Sequence, residues 1–77
     1  MQKTIDLRLY ASLQKYSPSN AGQFPIESGT CLLDLVKHLG IPPEQTKLFF
    51  INGVRGDSGT VLTGGERVAI FPPIGGG

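Results

Sequence analysis

The chain has 77 residues, which is enough for a single domain. Seven basic and six acidic residues are dispersed along it and give a formal net charge of +1, so we expect neither a nucleic acid nor a membrane as its partner. Cys31 is the only cysteine, which excludes an intramolecular disulfide and a cysteine metal cluster, and we expect no metal site.

The first predicted element is a strand within KTIDLRLY, residues 3–10. Ile5, Leu7 and Leu9 alternate with polar residues, and this period of two is typical of a half-buried strand. The segment lacks the continuous apolar run of a signal peptide, and a single cysteine suits a reducing compartment. We therefore expect a cytoplasmic protein.

Two short elements follow this strand. ASLQKY, residues 11–16, predicts about one turn of helix. QFPIE predicts a short second strand with Phe24 and Ile26 facing inward. Because Pro25 has no N–H to donate to a ladder, this strand is expected at an edge of the sheet.

The strongest pattern belongs to a helix in TCLLDLVKHLG, residues 30–40. Its apolar face follows the spacing i, i+3, i+4 and i+7 and consists of Leu32, Leu35, Val36 and Leu39. Thr30 is the expected N-cap, and Gly40 is expected to end the helix in a left-handed conformation.

The last third of the chain predicts strands. In KLFFINGVR, Asn52-Gly53 favours a type I′ hairpin turn, and the turn-rich segment after it has Val61 and Leu62 as its only apolar anchors. RVAIF, residues 67–71, is apolar on both faces, which indicates a central strand.

This order of elements predicts an α+β domain with one main helix packed on one face of a mixed sheet of four to five strands. The arrangement that fits best is the β-grasp, or ubiquitin-like, fold, with the first and last strands adjacent at its centre. The domain is expected over residues 1–74, followed by a flexible glycine tail at residues 75–77.

The C-terminal segment LTGGERVAIFPPIGGG, residues 62–77, resembles that of the MoaD/ThiS family of ubiquitin-like sulfur carriers. The opening LRLYASLQKY, the helix end LGIP and the hairpin INGV resemble the same family. The resemblance is closest to MoaD, the small subunit of molybdopterin synthase, because Phe71-Pro72-Pro73 precedes a terminal Gly76-Gly77. Gly75 departs from the family, which more often has a small non-glycine residue there.

The resemblance implies that Gly77 is adenylated with ATP by a ubiquitin-activating-type adenylyltransferase similar to MoeB and ThiF. The resulting thiocarboxylate would donate its sulfur to the large subunit of molybdopterin synthase, which is MoaE-like, or to another acceptor enzyme. The chain itself would be a carrier, or the small subunit of a sulfurtransferase, with no bound cofactor.

The residues of the tail suit this chemistry. Gly77 leaves its carbonyl unhindered, and Gly75 and Gly76 allow the backbone into a slot too narrow for side chains. Pro72-Pro73 favours an extended exit, and residues 72–77 reach roughly 20 Å when extended. The flanking Phe71 and Ile74 are expected to contact the partner.

Other functions remain open from the sequence. The same terminus would serve thiamine-type or other sulfur pathways, or a protein modifier joined through Gly77 to a lysine. A non-covalent ubiquitin-like module with an idle tail is a further alternative.

Several residues outside the tail have an ordinary interpretation beside a functional one. We expect Cys31 to be a small, partly buried apolar residue and His38 a solvent-facing cation at the helix end. Phe50 belongs either to the core or to a docking patch. Arg8 and Arg67 fit solvated strand charges and pairing with an acidic partner equally well. TGGE, residues 63–66, lacks the lysine of a phosphate-binding loop.

Overall fold

The computed structural model describes residues 3–73 of the chain. Its seven strands are β1 Lys3–Leu9, β2 Phe24–Ile26, β3 Thr30–Cys31, β4 Leu48–Ile51, β5 Val54–Gly56, β6 Val61–Leu62 and β7 Arg67–Phe71. The α-helix α1 spans Leu32–His38, and three short 3₁₀ helices span Ala11–Tyr16, Ala21–Gln23 and Pro43–Gln45. None of the helices within this part of the chain is long and apolar enough to cross a bilayer.

Five strands form one mixed sheet in the order β2-β1-β7-β4-β5. β1 and β7 run parallel at the centre, with Leu7 opposite Val68, and the other neighbours pair antiparallel. β3 and β6 form a separate two-stranded ribbon. The sheet and its single main helix confirm the predicted β-grasp fold.

The core lies between α1 and one face of this sheet. The helix contributes Leu32, Leu35 and Val36, and the two central strands contribute Ile5, Leu7, Leu9, Val68 and Ile70, all of which are buried. The alternation in residues 3–10 and the apolar pattern of the last strand therefore predicted the core correctly. Each such side chain contributes about 1.5–3 kcal/mol on burial, so the five from β1 and β7 contribute more than the three from α1.

The predicted chain reversals are confirmed by the backbone. Asn52 and Gly53 both have positive φ, at 54° and 83°, as a type I′ turn requires. Gly40 follows α1 with a φ of 81°. β2, which contains Pro25, is an edge strand as expected.

The prediction that Thr30 caps the helix was wrong. Thr30 lies in β3, and its hydroxyl donates to the carbonyl of Glu27 at 2.7 Å. Cys31 occupies the N-cap position and makes no side-chain hydrogen bond there. The N–H groups of Leu32 and Leu33 instead donate to the Thr60 and Ser58 carbonyls at 2.9 Å. The loop at residues 58–60, distant in sequence, thus accepts hydrogen bonds from the first N–H groups of the helix, which a side-chain cap usually accepts.

The prediction that Val61 anchors its segment was also wrong, whereas Leu62 does so. Val61 pairs with Cys31 in the β3–β6 ribbon and is 56% exposed, and Leu62 is fully buried. Successive residues of a strand point to opposite sides, so only one of the two can face the core.

Candidate functional site

The last described residues form the root of the tail, which we define as Phe71, Pro72 and Pro73. β7 ends at Phe71, Pro72 is half-buried and Pro73 is exposed. The remaining predicted site residues, Ile74, Gly75, Gly76 and Gly77, lie outside the described residues, as does the predicted boundary between residues 1–74 and 75–77. Their roles stay predictions.

Phe71 is held between two other aromatic rings. The Tyr10 ring stacks on it with centroids 4.4 Å apart and an interplanar angle of 5°. The Phe50 ring meets it edge to face, with centroids 5.7 Å apart. Phe71 remains half-buried, so it is packed from within the domain while part of its surface is left for a partner.

The strand pairing brings Tyr10 to this position. Leu9 lies opposite Ile70 in the parallel pair, and the N–H of Tyr10 donates to the Ile70 carbonyl at 3.3 Å. The side chain of Tyr10 consequently projects on the same face as that of Phe71. The sequence analysis did not identify Tyr10 as a site residue. The one feature that could have done so is its position in the alternation of residues 3–10, where it falls among the residues that face away from the core.

The start of β4 holds the other side of the tail root. Leu48 pairs with Phe71, and the N–H of Lys47 donates to the Phe71 carbonyl at 2.8 Å. Pro73 lies against a groove whose other walls are Glu44, Thr46, Lys47 and Leu48. Because neither proline has an N–H, the ladder ends where the tail begins.

The sheet face opposite α1, which we call the open face, is apolar beside the tail root and charged farther away. The apolar part consists of Tyr10, Leu48, Phe50, Ala69 and Phe71, of which Tyr10 is 39% exposed and the others are half-buried. Cross-strand register makes this surface continuous, since Phe50 lies opposite Ala69 and Leu48 opposite Phe71. Phe50 therefore belongs to the open face, whereas its neighbour Phe49 is a core residue.

The charged part of the open face contains Asp6, Arg8 and Arg67. The Arg8 guanidinium donates to both carboxylate oxygens of Asp6 at 2.9 and 3.0 Å, and Arg67 Nε lies 3.9 Å from the same carboxylate. The hydrogen bonds from Arg8 lower the pKa of Asp6, and the positive charges of both arginines lower it further. One carboxylate facing two guanidinium groups leaves this area positive, although such exposed pairs stabilise a fold little.

The turn that leads into β7 is held by Glu66. Its carboxylate accepts hydrogen bonds from the N–H groups of Thr63 and Gly64 at 2.8 and 2.7 Å. Burial alone would raise the pKa of Glu66, but these donors and the Thr63 hydroxyl outweigh it and lower that pKa. Gly64 has a φ of 115°, and a Cβ there would collide with the Lys3 side chain. TGGE is therefore a structural turn.

The two remaining candidates lie away from the tail root. Cys31 is a free, half-buried cysteine, in agreement with the ordinary interpretation. His38 is exposed at the end of α1, where its ring meets Phe24 edge to face at 6.1 Å. Across residues 3–73, no cluster of three or more metal-ligating side chains is present.

A model of the ThiS family matches residues 7–77, from the middle of β1 to the last residue of the chain. No curated protein matches the sequence.

Proposed function

This chain belongs to the ThiS family of ubiquitin-like sulfur carriers, and on that basis we propose that the carboxylate of Gly77 is the group that carries sulfur. The main support for this proposal is that the family match extends through Gly77. In addition, β7, the central strand of the β-grasp sheet, leads directly into the tail root.

The proposed chemistry begins with activation of the carboxylate. At neutral pH a terminal carboxylate is ionised, since its reference pKa is about 3.5. One of its oxygens attacks the α-phosphate of ATP in the active site of a ubiquitin-activating-type adenylyltransferase. Pyrophosphate leaves, and an acyl-adenylate forms on Gly77.

Sulfur then replaces the adenylate. Hydrosulfide attacks the acyl carbon, AMP leaves with its bonding pair, and the loss of one proton gives the thiocarboxylate. Transfer of this sulfur to an acceptor enzyme's substrate returns the carboxylate once water has supplied an oxygen. The carrier needs no cofactor of its own, because ATP binds to the activating enzyme.

The open face supports docking of both partner enzymes. Its apolar part adjoins the tail root, so a partner that covers Phe50 and Phe71 would receive the tail in a neighbouring cleft. Arg8 and Arg67 lie on the same face and would favour an acidic rim on that partner.

For the acceptor, we propose the large subunit of a molybdopterin synthase, to which two successive transfers would deliver the two sulfurs of the pterin dithiolene. Phe71-Pro72-Pro73 favours this pathway, because thiamine-type carriers usually lack that step. A thiamine-type acceptor is the second candidate.

The test is the intact mass of the C-terminal fragment after incubation with the activating enzyme, ATP and sulfide. Replacement of oxygen by sulfur adds about 16 Da, and because oxidation of Met1 or Cys31 adds nearly the same mass, the fragment must be isolated. A chain extended by one alanine past Gly77, which no longer ends in Gly-Gly, is the matched control and should show no gain. An unmodified Gly77 in the presence of an enzyme that activates another carrier would contradict the proposal.

The thiocarboxylated chain then identifies the pathway. Presented separately to a molybdopterin synthase large subunit and to a thiazole-forming enzyme of thiamine synthesis, it should lose its sulfur to the first. Loss to the second alone would reassign the pathway while leaving the role of Gly77 intact.

A further inference from the structure

We propose that Tyr10 is a positioning residue for the tail: its ring, stacked on Phe71, sets the direction in which the chain leaves β7 at Pro72 and Pro73, and entry of Gly77 into the activating enzyme's active site depends on that direction. The inference rests on the proposed role of Gly77 and adds to it a residue far from the tail in sequence.

The first argument is that Tyr10 is itself held firmly, although it is 39% exposed. Its N–H donates to Ile70, and its carbonyl accepts from the N–H of Leu13 at 3.0 Å. Leu13 is fully buried and fixes the 3₁₀ helix that follows. Both backbone groups of Tyr10 are thus tied to ordered parts of the domain, so the ring is a stable platform for its neighbour.

The second argument is the backbone at Ala11. Its φ of 52° lies in the left-handed region, which residues with a Cβ rarely adopt. This conformation turns the chain out of β1 directly after Tyr10 and into the 3₁₀ helix Ala11–Tyr16. The strained backbone at Ala11 thus directly follows the residue whose ring packs beside the tail root, Tyr10.

The third argument concerns how direction is transmitted. Phe71 is the last strand residue, and the two prolines after it have restricted φ angles. An orientation set at Phe71 therefore persists to Pro73. Three contacts set it: the Tyr10 stack, the Phe50 edge contact and the hydrogen bond from Lys47. Removing the ring of Tyr10 takes away the one that covers a whole face of Phe71.

The expected effect is on rate rather than on affinity. Partner binding draws on the whole open face, whereas productive entry of the tail depends on its direction of exit. Tyr10→Leu keeps an apolar side chain but removes the stacked ring. We expect it to lower the kcat of Gly77 adenylation by roughly three- to tenfold, the range that corresponds to one aromatic pair. This loss should persist at saturating carrier, where a rise in Kd from the lost open-face ring has no effect.

The experiment measures ATP–pyrophosphate exchange against carrier concentration, with the Kd obtained separately by calorimetry without ATP. Tyr10→Phe keeps the ring and should retain the wild-type kcat. Tyr10→Gln, a polar side chain without a ring, should lose as much as Tyr10→Leu and serves in its place if that variant misfolds. Tyr16→Leu removes an aromatic ring from the same segment that packs against the core, whereas Tyr10 stacks on Phe71, and it should leave kcat unchanged.

The outcomes separate this inference from the proposed function. A wild-type chain that supports no exchange would contradict the role of Gly77. An active wild type with an unchanged kcat in folded Tyr10→Leu or Tyr10→Gln would overturn the positioning role. A raised Kd with an unchanged kcat would overturn it too, because Tyr10 would then be an ordinary partner contact.

Discussion

The two ends of β7 are held by different kinds of interaction. At its start, Arg67 exchanges hydrogen bonds with Asn52: the Arg67 N–H donates to the Asn52 side-chain oxygen and the Asn52 N–H donates to the Arg67 carbonyl, both at 2.9 Å. The preceding turn is closed by the Glu66 carboxylate. At its end, two aromatic rings flank Phe71, and prolines follow.

We expect this difference between the two ends of β7 to separate residues that stabilise the fold from residues that affect the reaction of the tail. Hydrogen bonds at the start fix register and turn geometry, because each donor has one acceptor at one distance. Aromatic packing at the end orients the chain without extending the ladder, so the tail can leave the sheet. Outside the core, substitutions near the start should therefore mainly change the free energy of unfolding, and those at the end should mainly change sulfur transfer. Core-facing side chains such as Ile70 stabilise the strand wherever they lie along it.

The largest effect on stability is expected from Ile70→Ala. Ile70 is fully buried in the core, so its truncation should lower the free energy of unfolding by about 2–5 kcal/mol in chemical denaturation. The neighbouring Phe71→Ala, on the open face, should cost about 1–2 kcal/mol and mainly reduce adenylation. Equal losses of stability in the two variants would refute the division between the faces.

Glu66→Gln should give the next largest loss, about 1–3 kcal/mol at pH 7, because an amide oxygen is a weaker acceptor for the donors of Thr63 and Gly64. The folded-state pKa of Glu66 is lowered, so its contribution is present above the unfolded value of about 4.5 and disappears as pH falls through the folded-state pKa.

Urea denaturation across this pH range measures the effect of Glu66. The difference in unfolding free energy between wild type and variant should shrink on acidification. Glu44→Gln, at an exposed position in the Pro43–Gln45 turn, is the matched control and should change little. A difference that does not vary with pH would contradict the ionic role of Glu66.

Asn52→Ala is expected to cost about 1–2 kcal/mol. The substitution removes the acceptor for the Arg67 N–H. It also places alanine, whose side chain cannot form the local hydrogen bonds that help asparagine tolerate a left-handed backbone, at a φ of 54°. Asn52→Gly should lose less, because glycine accepts the backbone conformation and only the hydrogen bond is lost. Thermal unfolding ranks the three proteins, and a reversed order of the two variants would show that the turn conformation carries no cost.

The smallest change is expected from Ala11→Gly. Relief of the left-handed conformation, worth about 1–2 kcal/mol, is partly offset by the greater entropy of glycine in the unfolded chain. The net result should be a gain of up to about 1 kcal/mol, or a few degrees in Tm. Lower adenylation in this more stable variant would sharpen the comparison, since it would show that the strained backbone serves the end of β7.

Much of the fold could be predicted from local patterns. The alternation around Ile5 and Leu7, the helical spacing from Leu32 to Val36 and the Asn52-Gly53 turn all express backbone preferences that act within a few residues. Thr30 failed as a cap because the loop at Ser58–Thr60 serves the same donors, and no local pattern reports such a contact.

The candidate site divides in the same way. The expected chemistry of Gly77 came from the family resemblance, and the expected extended exit at Pro72-Pro73 came from residue type; both stay predictions. The meeting of three rings at the tail root was not predicted, because Tyr10, Phe50 and Phe71 come from separate segments of the chain and meet only through sheet register.

The sequence by itself thus determined most of the elements and most of the inward-facing residues, because these depend on periodicity and turn preference, and its motifs matched the family. Only the tertiary structure decided what surrounds the tail root and β7. The Tyr10 ring packs against Phe71 and the N–H of Lys47 donates to the Phe71 carbonyl, while Asn52 and Glu66 hold the other end of the strand. The physical reason is that parallel pairing of β1 with β7 joins segments about 60 residues apart, and a contact over that separation exists only once the chain has closed around its core.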